Sequence, residues 1–225
     1  MTTGYFVTGT DTGIGKTTVS CALLRAFAAQ GKSVIGMKPI AAGRENGQWM
    51  DVERLLAASN VVVSRQHVNP YAFDPSISPH IAAQQMGAGI DLTVIHQAYR
   101  ELCKRAEVVI VEGAGGFLVP VNNDQTGADL AQVLNLPVIL VVGMRLGCLN
   151  HALLTIQAIR AAGLALAGWV ANGIDPGMMA VAENIDTLRQ RMLCPLLGIL
   201  PFCGETDSQQ IAGLVNTQLL TNFTA

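Results

Sequence analysis

The sequence predicts an α/β fold of the doubly wound kind, with a mostly parallel sheet flanked by helices. Short apolar runs rich in valine and isoleucine alternate with amphipathic segments along the chain. These runs are apolar throughout instead of alternating with polar residues, which indicates strands buried on both faces, as in a parallel sheet. Strands that alternate with helices build such a sheet, with helices covering each side.

The elements follow one another in chain order, a strand usually coming before a helix. The expected strands are Tyr5–Thr8, Ser33–Met37, Val108–Glu112, Val138–Val142, Leu166–Asn172 and Leu196–Leu200. The expected helices are Lys16–Gln30, Asp51–Ser59, Leu92–Arg105, Ala128–Leu134, Asn150–Ala162, Met178–Arg191 and Gln209–Leu220. The longest loop candidates are Arg44–Met50 and the proline-rich Asn69–Pro79. No repeat or linker interrupts this order, so we expect a single domain over residues 1–225.

The composition is that of a globular enzyme and excludes several other classes. Of the 225 residues, 50% are hydrophobic and 13% are charged, and the net charge is -2. A chain without a basic block predicts neither a nucleic acid nor a membrane surface as partner. No apolar run approaches the roughly 18 residues of a membrane-spanning helix. The 5 cysteines are scattered and never spaced as C-x-x-C, which indicates thiols in a reducing, cytoplasmic compartment.

The stretch GTDTGIGKTT, residues 9–18, predicts a phosphate-binding loop (P-loop) like that of nucleoside triphosphatases. It follows the first strand and opens the first helix, whose unpaired N–H groups and partial positive charge suit phosphate oxygens. Gly13 and Gly15 let the backbone approach the phosphates, Lys16 can reach them, and the Thr17 hydroxyl can bind Mg²⁺. One glycine of the usual spacing is displaced by one residue, which changes the subtype of the loop and leaves its chemistry intact.

Two further strand ends carry charged residues that fit this loop. Lys38 follows the second strand, and Glu112 ends the third and is followed by glycines. Because ligands gather at the carboxyl ends of parallel strands, both side chains are expected near the phosphates. A carboxylate there suits Mg²⁺ opposite Thr17. Asp51 has two interpretations, as a second carboxylate at the metal or as the N-cap of the helix that follows.

Five blocks of the chain together closely resemble the dethiobiotin synthetase family. They are GTDTGIGKT (9–17), KPIAAG (38–43), VEGAGG (111–116), VVGMRLGCLNHA (141–152) and GWVAN (168–172). The resemblance runs from about Tyr5 to Phe202, and the displaced glycine of the phosphate loop is a feature of this family.

The resemblance implies an ATP-dependent ring closure in biotin biosynthesis. One amine of 7,8-diaminononanoate captures CO₂ as a carbamate, whose oxygen attacks the γ-phosphate of Mg-ATP. The second amine then closes the ureido ring of dethiobiotin and expels phosphate from the carbamic-phosphoric anhydride. The resemblance also implies Mg²⁺ as cofactor and a homodimer.

The family's functional residues map onto this chain as follows. The implied catalytic residues are Lys16 and Lys38, and the implied metal ligands are Thr17, Asp51 and Glu112. The residues implied to bind ATP are Thr12, Gly13, Ile14, Gly15, Lys16, Thr17, Thr18, Asp51, Glu112, Gly113, Ala114, Gly115, Asn172, Gly173, Pro201, Phe202 and Cys203. The residues implied to bind the diamine are Ala42, Gly147, Cys148, Leu149 and Asn150.

Within these sets, the resemblance separates a base site from a carboxylate site. Asn172 and the stretch Pro201–Cys203 would border the adenine. The helix start at Gly147–Asn150 would bind the carboxylate of the substrate across the dimer interface, which also agrees with anion binding at helix N-termini. Ala42 departs from the pattern, because many relatives carry a hydroxyl side chain there.

Other functions remain as alternatives. A partitioning or cofactor-assembly ATPase of the same P-loop class usually has a lysine five residues before the motif lysine, where this chain has Asp11. A corrin-amidating synthetase normally continues into a glutaminase domain, for which the chain has no room, and two lysines with an acidic metal set argue against a non-enzymatic nucleotide-binding module. Asn172 and Asp175 have the spacing of a guanine-reading loop, but Gly173 replaces its lysine and Asn172 can serve adenine, so we expect ATP to be preferred over GTP.

Overall fold

A computed structural model describes residues 2–202 and 211–220 of the chain. Its strands are β1 (Thr3–Gly9), β2 (Val34–Met37), β3 (Ile40–Ala42), β4 (Tyr71–Phe73), β5 (Val108–Glu112), β6 (Val138–Met144), β7 (Leu166–Gly173) and β8 (Leu196–Leu200). Within these residues, six strands form one sheet in the order β2-β5-β1-β6-β7-β8, and every neighbouring pair in it is parallel. The short strands β3 and β4 pair separately, also in parallel.

Helices connect the strands and cover both faces of the six-stranded sheet. They are α1 (Lys16–Ala28), α2 (Met50–Ala58), α3 (Arg65–Val68), α4 (Pro79–Gln85), α5 (Leu92–Cys103), α6 (Gly127–Leu134), α7 (Cys148–Ala161) and α8 (Val181–Met192), with a 3-10 helix at Thr217–Leu220. None of these helices is long and apolar enough to cross a membrane, among the residues that the structure describes.

The strand residues alternate between two apolar layers, which explains why the strands read as continuous apolar runs. Phe6 of β1 packs in the layer that contains α5 and α6, whereas its neighbours Tyr5 and Val7 pack in the layer that contains α1. All three are almost fully buried. Burying one large apolar side chain stabilises a fold by roughly 1.5–3 kcal/mol, so the two layers hold the sheet from both sides.

The predicted doubly wound parallel sheet is confirmed, with every expected strand present. Two helix starts differ from the prediction by more than one residue: α7 begins at Cys148 instead of Asn150, and α8 at Val181 instead of Met178. The expected helix Gln209–Leu220 begins outside the described residues. Within them, Ile211 and Ala212 are helical, the helix does not continue through 213–216, and Thr217–Leu220 forms a 3-10 helix.

The interpretation of Asn69–Pro79 as a loop was partly wrong. The segment contains β4, and α4 begins at its last residue. Helix α3 and strand β3 were not predicted either. Strands of three residues are too short to show a period of two, and β3 pairs with β4 across about thirty residues, so the pairing leaves no local sequence signal.

The parallel sheet brings one set of strand ends together. Val7 of β1 pairs with Glu112 of β5, and Met37 of β2 pairs with Val111 of β5. The segments that follow β1, β2 and β5 therefore meet at the carboxyl edge of the sheet, where α/β proteins bind their ligands.

Candidate active site

The phosphate loop lies between β1 and α1 and depends on glycine conformations. Gly13 and Gly15 have φ angles of 73° and 83°, in the left-handed region that favours glycine. A Cβ atom on Gly15 would lie 2.1 Å from Nδ2 of Asn172, so this position has no room for a side chain. Gly15 is also the N-cap of α1 and makes no side-chain hydrogen bond, which leaves the first N–H groups of α1 directed at the loop.

The side chain of Lys16, the first residue of α1, folds back onto the phosphate loop. Its Nζ donates a hydrogen bond to the backbone oxygen of Asp11 at 2.8 Å, and only 8% of the residue is exposed. Burial, together with the nearby charge of Lys38, lowers the pKa of Lys16 to about 8. The carboxylate of Asp11 forms a 2.5 Å ion pair with Arg145, which ties the start of the loop to the segment after β6.

Two carboxylates converge on the Thr17 hydroxyl. Thr17 Oγ1 lies 2.8 Å from Glu112 Oε1 and 3.0 Å from Asp51 Oδ1. Asp51 stands in the first turn of α2, whose N-cap is Trp49, and its side chain turns to Thr17 instead of capping the helix. The alternative interpretation of Asp51 as an N-cap is therefore wrong.

Lys38 joins the same cluster from the end of β2. Its Nζ donates to Glu112 Oε1 at 2.6 Å and to the backbone oxygen of Gly113 at 3.2 Å, and lies 3.2 Å from Asp51 Oδ2. The side chains of Lys38 and Glu112 are buried, and that of Asp51 is half-exposed.

These contacts shift the pKa values of two members of the cluster. Burial works against the charge of Lys38, but the carboxylates of Glu112 and Asp51 outweigh it and raise the pKa of the ammonium. Burial likewise works against the charge of Asp51, but the Lys38 ammonium outweighs it and holds the pKa of the carboxyl below its usual range. Lys38 and Asp51 therefore both carry their charge at neutral pH.

The oxygen atoms of this cluster fit a Mg²⁺ ion. Glu112 Oε2 is buried and has no hydrogen-bond partner among the described residues, which is unusual for a buried carboxylate oxygen. Thr17, Asp51 and Glu112 offer the hard oxygen ligands that Mg²⁺ prefers. No group of three or more His, Cys, Asp or Glu residues within residues 2–202 and 211–220 forms a metal cage. Few protein ligands are expected, because Mg²⁺ usually takes one or two carboxylates and completes its shell with water and phosphate.

One cavity of about 530 Å³ joins the phosphate loop to this cluster. Its predicted lining residues are Thr12, Gly13, Gly15, Lys16, Thr17, Thr18, Lys38, Ala42, Asp51, Glu112, Ala114 and Gly115. Its further lining residues, which sequence reasoning missed, are Ile40, Arg54, Ser76, Ile77, Ser78, Pro79 and Val119. Arg54 could have been predicted from the sequence, because it lies one helical turn after Asp51 on the same predicted helix. The stretch 76–79 gave no such signal, since it lies in a segment that the sequence indicates only as a loop.

The residues predicted to border the base lie on the other side of the phosphate loop, at the ends of β7 and β8. Asn172 is buried, and its Nδ2 donates to the backbone oxygen of Ile14 at 2.8 Å. Gly173 packs against the segment after β8, because a Cβ there would lie 2.6 Å from the backbone nitrogen of Phe202. Pro201 and Phe202 are exposed, and Cys203 lies outside the described residues.

The loop after Asn172 contains a turn that begins at Asp175. Asp175 Oδ1 accepts a hydrogen bond from the backbone nitrogen of Gly177 at 2.9 Å, as an aspartate that starts a turn does. One oxygen of the Asp175 carboxylate is thus bound within its own loop.

The stretch Gly147–Asn150 does not reach the cavity of its own chain. It forms the start of α7, where Gly147 has a φ of 95° and the helix has no side-chain cap. None of its residues lines the cavity among those the structure describes. It begins two residues after Arg145, whose ion pair with Asp11 connects it to the phosphate loop.

Comparisons with known proteins identify close relatives. A family profile described as an AAA domain matches residues 3–210. The chain is 62% identical over 216 residues to an ATP-dependent dethiobiotin synthetase of Nitrosospira multiformis, with 96% of each chain covered. It is 51% identical over 212 residues to an ATP-dependent dethiobiotin synthetase of Aromatoleum aromaticum, covering 92% of this chain and 94% of the relative.

Solved structures resemble the chain in fold. A ParA family ATPase of Chlorobium tepidum superposes with a TM-score of 0.58 at 12% identity, covering 100% of this chain and 95% of the other. The septum site-determining protein MinD of Pyrococcus horikoshii, complexed with Mg-ADP, superposes with a TM-score of 0.56 at 16% identity, covering 97% and 89%. At this identity the likeness concerns the nucleotide-binding fold alone.

Proposed function

This chain belongs to the ATP-dependent dethiobiotin synthetases, and we propose which of its residues carry the steps of that reaction. The enzyme synthesises dethiobiotin in biotin biosynthesis with ATP. The observation that supports the assignment of residues is one cavity in which Lys38, Thr17 and Glu112 meet beside the phosphate loop.

The reaction has three steps that balance without a further reactant. One amine of 7,8-diaminononanoate attacks CO₂, which forms a carbamate and releases a proton. A carbamate oxygen attacks the γ-phosphorus of ATP, and ADP leaves. The second amine attacks the carbonyl carbon of the carbamic-phosphoric anhydride, closes the ureido ring and expels phosphate.

Lys16 and Lys38 supply positive charge for the second step. Phosphoryl transfer is catalysed mainly by positioning and by charge stabilisation on the transferred group. Lys16 is tethered to the phosphate loop and suits the β- and γ-phosphates. Lys38 follows β2, lines the same cavity as Ala42 and the loop, and suits the carbamate and the γ-phosphate together.

Thr17, Asp51 and Glu112 would hold Mg²⁺. Bound there, the ion would neutralise charge on the phosphate oxygens of ATP. The buried Glu112 oxygen without a partner supports this assignment most directly.

The diamine would lie along the part of the cavity that contains Ile40, Ala42 and Val119. Their apolar side chains suit the aliphatic chain of the substrate. Ala42 offers no hydroxyl, but Ser76 lies against the adjacent Gly43, where a Cβ would lie 3.0 Å from the Ser76 Oγ. A serine from the segment before α4 therefore takes the place of the hydroxyl that relatives carry.

The carboxylate of the diamine would bind a second subunit. Gly147–Asn150 begins a helix with uncapped N–H groups, which suit an anion. The stretch does not line the cavity of its own chain, so on this proposal it serves the cavity of a partner. The enzyme is on this proposal a homodimer with two shared sites.

The base of the nucleotide would lie beside Asn172, Gly173 and Pro201–Phe202. One hydrogen of the Asn172 amide is taken by Ile14, and its oxygen remains to accept from the N6 amine of adenine. Asp175 is engaged in its own turn. We therefore expect kcat/KM to favour ATP over GTP, and Asp175→Ala to leave that ratio unchanged.

Incubation with diaminononanoate, ¹³C-bicarbonate and Mg-ATP tests the proposed function. We expect dethiobiotin with one ¹³C atom, seen by mass spectrometry, and one ADP and one phosphate for each ring closed. Diamine-independent ATP hydrolysis without dethiobiotin would instead indicate an ATPase of the partitioning class.

A further inference from the structure

Arg54 stands at the wall of the cavity, next to the phosphate loop. It lies on α2 one turn after Asp51, and its backbone oxygen accepts a hydrogen bond from Cys21 Sγ of α1 at 3.4 Å. Cys21 is one helical turn beyond Thr17. Its contact with Arg54 fixes this part of α2 alongside the start of α1, and the Arg54 side chain lines the same cavity as Lys16 and Thr18.

The guanidinium of Arg54 has no hydrogen bond or ion pair within the described residues, although other arginines nearby do. Arg44 lies 3.6 Å from the carboxylate of Asp74, and Arg65 lies 2.6 Å from that of Glu53. Both carboxylates of the cavity, in contrast, contact Lys38 and Thr17. The Arg54 side chain is thus a free cation at the cavity wall.

The charges that line the cavity leave a positive excess for an anion. Its cations are Lys16, Lys38 and Arg54, and its anions are Asp51 and Glu112. A guanidinium presents a planar fork of N–H donors that matches two phosphate oxygens at once. Thr18, which lines the same cavity as Arg54, belongs to the first turn of α1, where phosphate oxygens are expected.

We propose that Arg54 binds the phosphate chain of ATP from the side of α2, next to Thr18. This inference rests on the proposed function for the identity of the nucleotide. Arg54 and the two lysines then surround the phosphates from different elements: α2, the phosphate loop and the end of β2. Its role is binding and positioning, since Lys16 and Lys38 already stand where charge develops during phosphoryl transfer.

The test measures binding of Mg-ADP alone, by calorimetry, to the wild-type enzyme and to Arg54→Gln. Hydrogen bonds to charged groups contribute enough that their loss should raise the Kd about tenfold to a hundredfold. The KM for ATP should rise by a similar factor while kcat stays within about twofold, which is the signature of lost ground-state binding. Arg54→Lys should fall between the two proteins, because lysine keeps the charge but not the fork.

Arg65→Gln is the matched control. Arg65 is a nearby arginine that pairs with α2 through Glu53 but does not line the cavity, so its loss should leave the Kd for Mg-ADP unchanged. An unchanged Kd and KM in Arg54→Gln would overturn the proposal. A raised KM for the diamine, with unchanged Mg-ADP binding, would overturn it too and assign Arg54 to the substrate carboxylate.

The two proposals fail in distinguishable ways. Binding of Mg-ADP is measured without the diamine and does not depend on ring closure. A wild-type enzyme that binds Mg-ADP through Arg54 but forms no dethiobiotin would refute the proposed function and leave the assignment of Arg54 intact.

Discussion

Lys38 is the residue that connects the chemistry of the site with its stability. Its ammonium contacts both carboxylates of the cavity, Asp51 and Glu112, and the side chain of Glu112 is the buried one of the two. Removing one partner of a buried ion pair leaves an uncompensated charge, whereas removing both does not. Catalysis and folding therefore respond differently to changes at this residue, and two variants can separate them.

We expect Lys38→Met to lose about 10²–10³ in turnover, since it removes a preorganised charge at the transferred group. It should also lower the free energy of unfolding by about 3–5 kcal/mol, because Glu112 stays buried without its ammonium. Steady-state kinetics and urea denaturation measure the two effects.

The double variant Lys38→Met/Glu112→Gln provides the control. With both charges removed it should recover most of the lost stability and none of the turnover. Wild-type turnover in either variant would contradict the assignment of Lys38.

The phosphate loop contains a matched pair of glycines, Gly13 and Gly15. Both have positive φ angles, but a Cβ on Gly15 would meet Asn172, and a Cβ on Gly13 would meet nothing within 4 Å. In protein without nucleotide, Gly13→Ala should lower the free energy of unfolding by only roughly 1–2 kcal/mol, which is what an alanine in the left-handed conformation costs. Gly15→Ala should cost at least about 1 kcal/mol more, because it also breaks the hydrogen bond from Asn172 to Ile14.

Urea denaturation of the two glycine variants measures this difference. Equal losses of stability would show that Asn172 does not hold the loop.

Helix α6 provides a pH-dependent prediction. The backbone nitrogen of Thr126 donates to Asp129 Oδ2 at 2.7 Å, and hydrogen bonds from the side chain and backbone of Thr126 lower the pKa of Asp129. A lowered pKa means that the carboxylate stabilises the fold above its unfolded pKa, near 3.8, and loses this effect as the pH falls through the folded value. Asp129→Ala should therefore lower the free energy of unfolding by about 1 kcal/mol at pH 7, and by progressively less below pH ~4.

The free energy of unfolding at several pH values, down to the lowest at which both proteins fold, tests the role of Asp129. Asp124→Ala, at an exposed position in the loop before α6, is the control and should have little effect at any pH. A cost of Asp129→Ala that does not change with pH would contradict the role of its charge.

The six-stranded sheet and the part of the site that contains Thr17, Lys38 and Glu112 could both be predicted from the sequence, for the same physical reason. Strands buried on both faces are continuous apolar runs, and in a parallel sheet their carboxyl ends lie at one edge, which placed Lys38 and Glu112 next to Thr17. The contributions of Arg54 and Ser76 depend on how α2 and the segment before α4 pack across the cavity. Apart from the place of Arg54 one helical turn after Asp51, such packing leaves no pattern in the sequence.

The shared site of the proposed homodimer can be tested with mixed dimers of two inactive variants. Lys16→Gln should inactivate the cavity of its own subunit. Asn150→Asp should repel the substrate carboxylate from the partner's cavity, while an acidic residue in the first turn leaves α7 stable. Mixed dimers would then contain one intact site, built from the Lys16 of one variant and the Asn150 of the other.

After the two variants are dissociated and reassociated at random, about a quarter of wild-type activity should return, because half the dimers are mixed and each has one working site of two. The assay is run with the diamine well below the KM of Asn150→Asp. No recovery, or a fully active monomer by light scattering, would contradict the shared site.

The single domain over residues 1–225 and the cytoplasmic location stay predictions.

The strand order of the sheet determines when the chain can fold during its synthesis on the ribosome. The phosphate loop follows β1, which lies between β5 and β6, so Thr3 finds its partner only when Val108 has been made. At translation rates of about 5–20 residues per second, β1 waits on the order of 5–20 s for its neighbour, with its apolar side chains uncovered. Contacts between such distant segments form slowly. We therefore expect nascent chains to need protection from aggregation, and ATP binding to emerge only with the completed sheet.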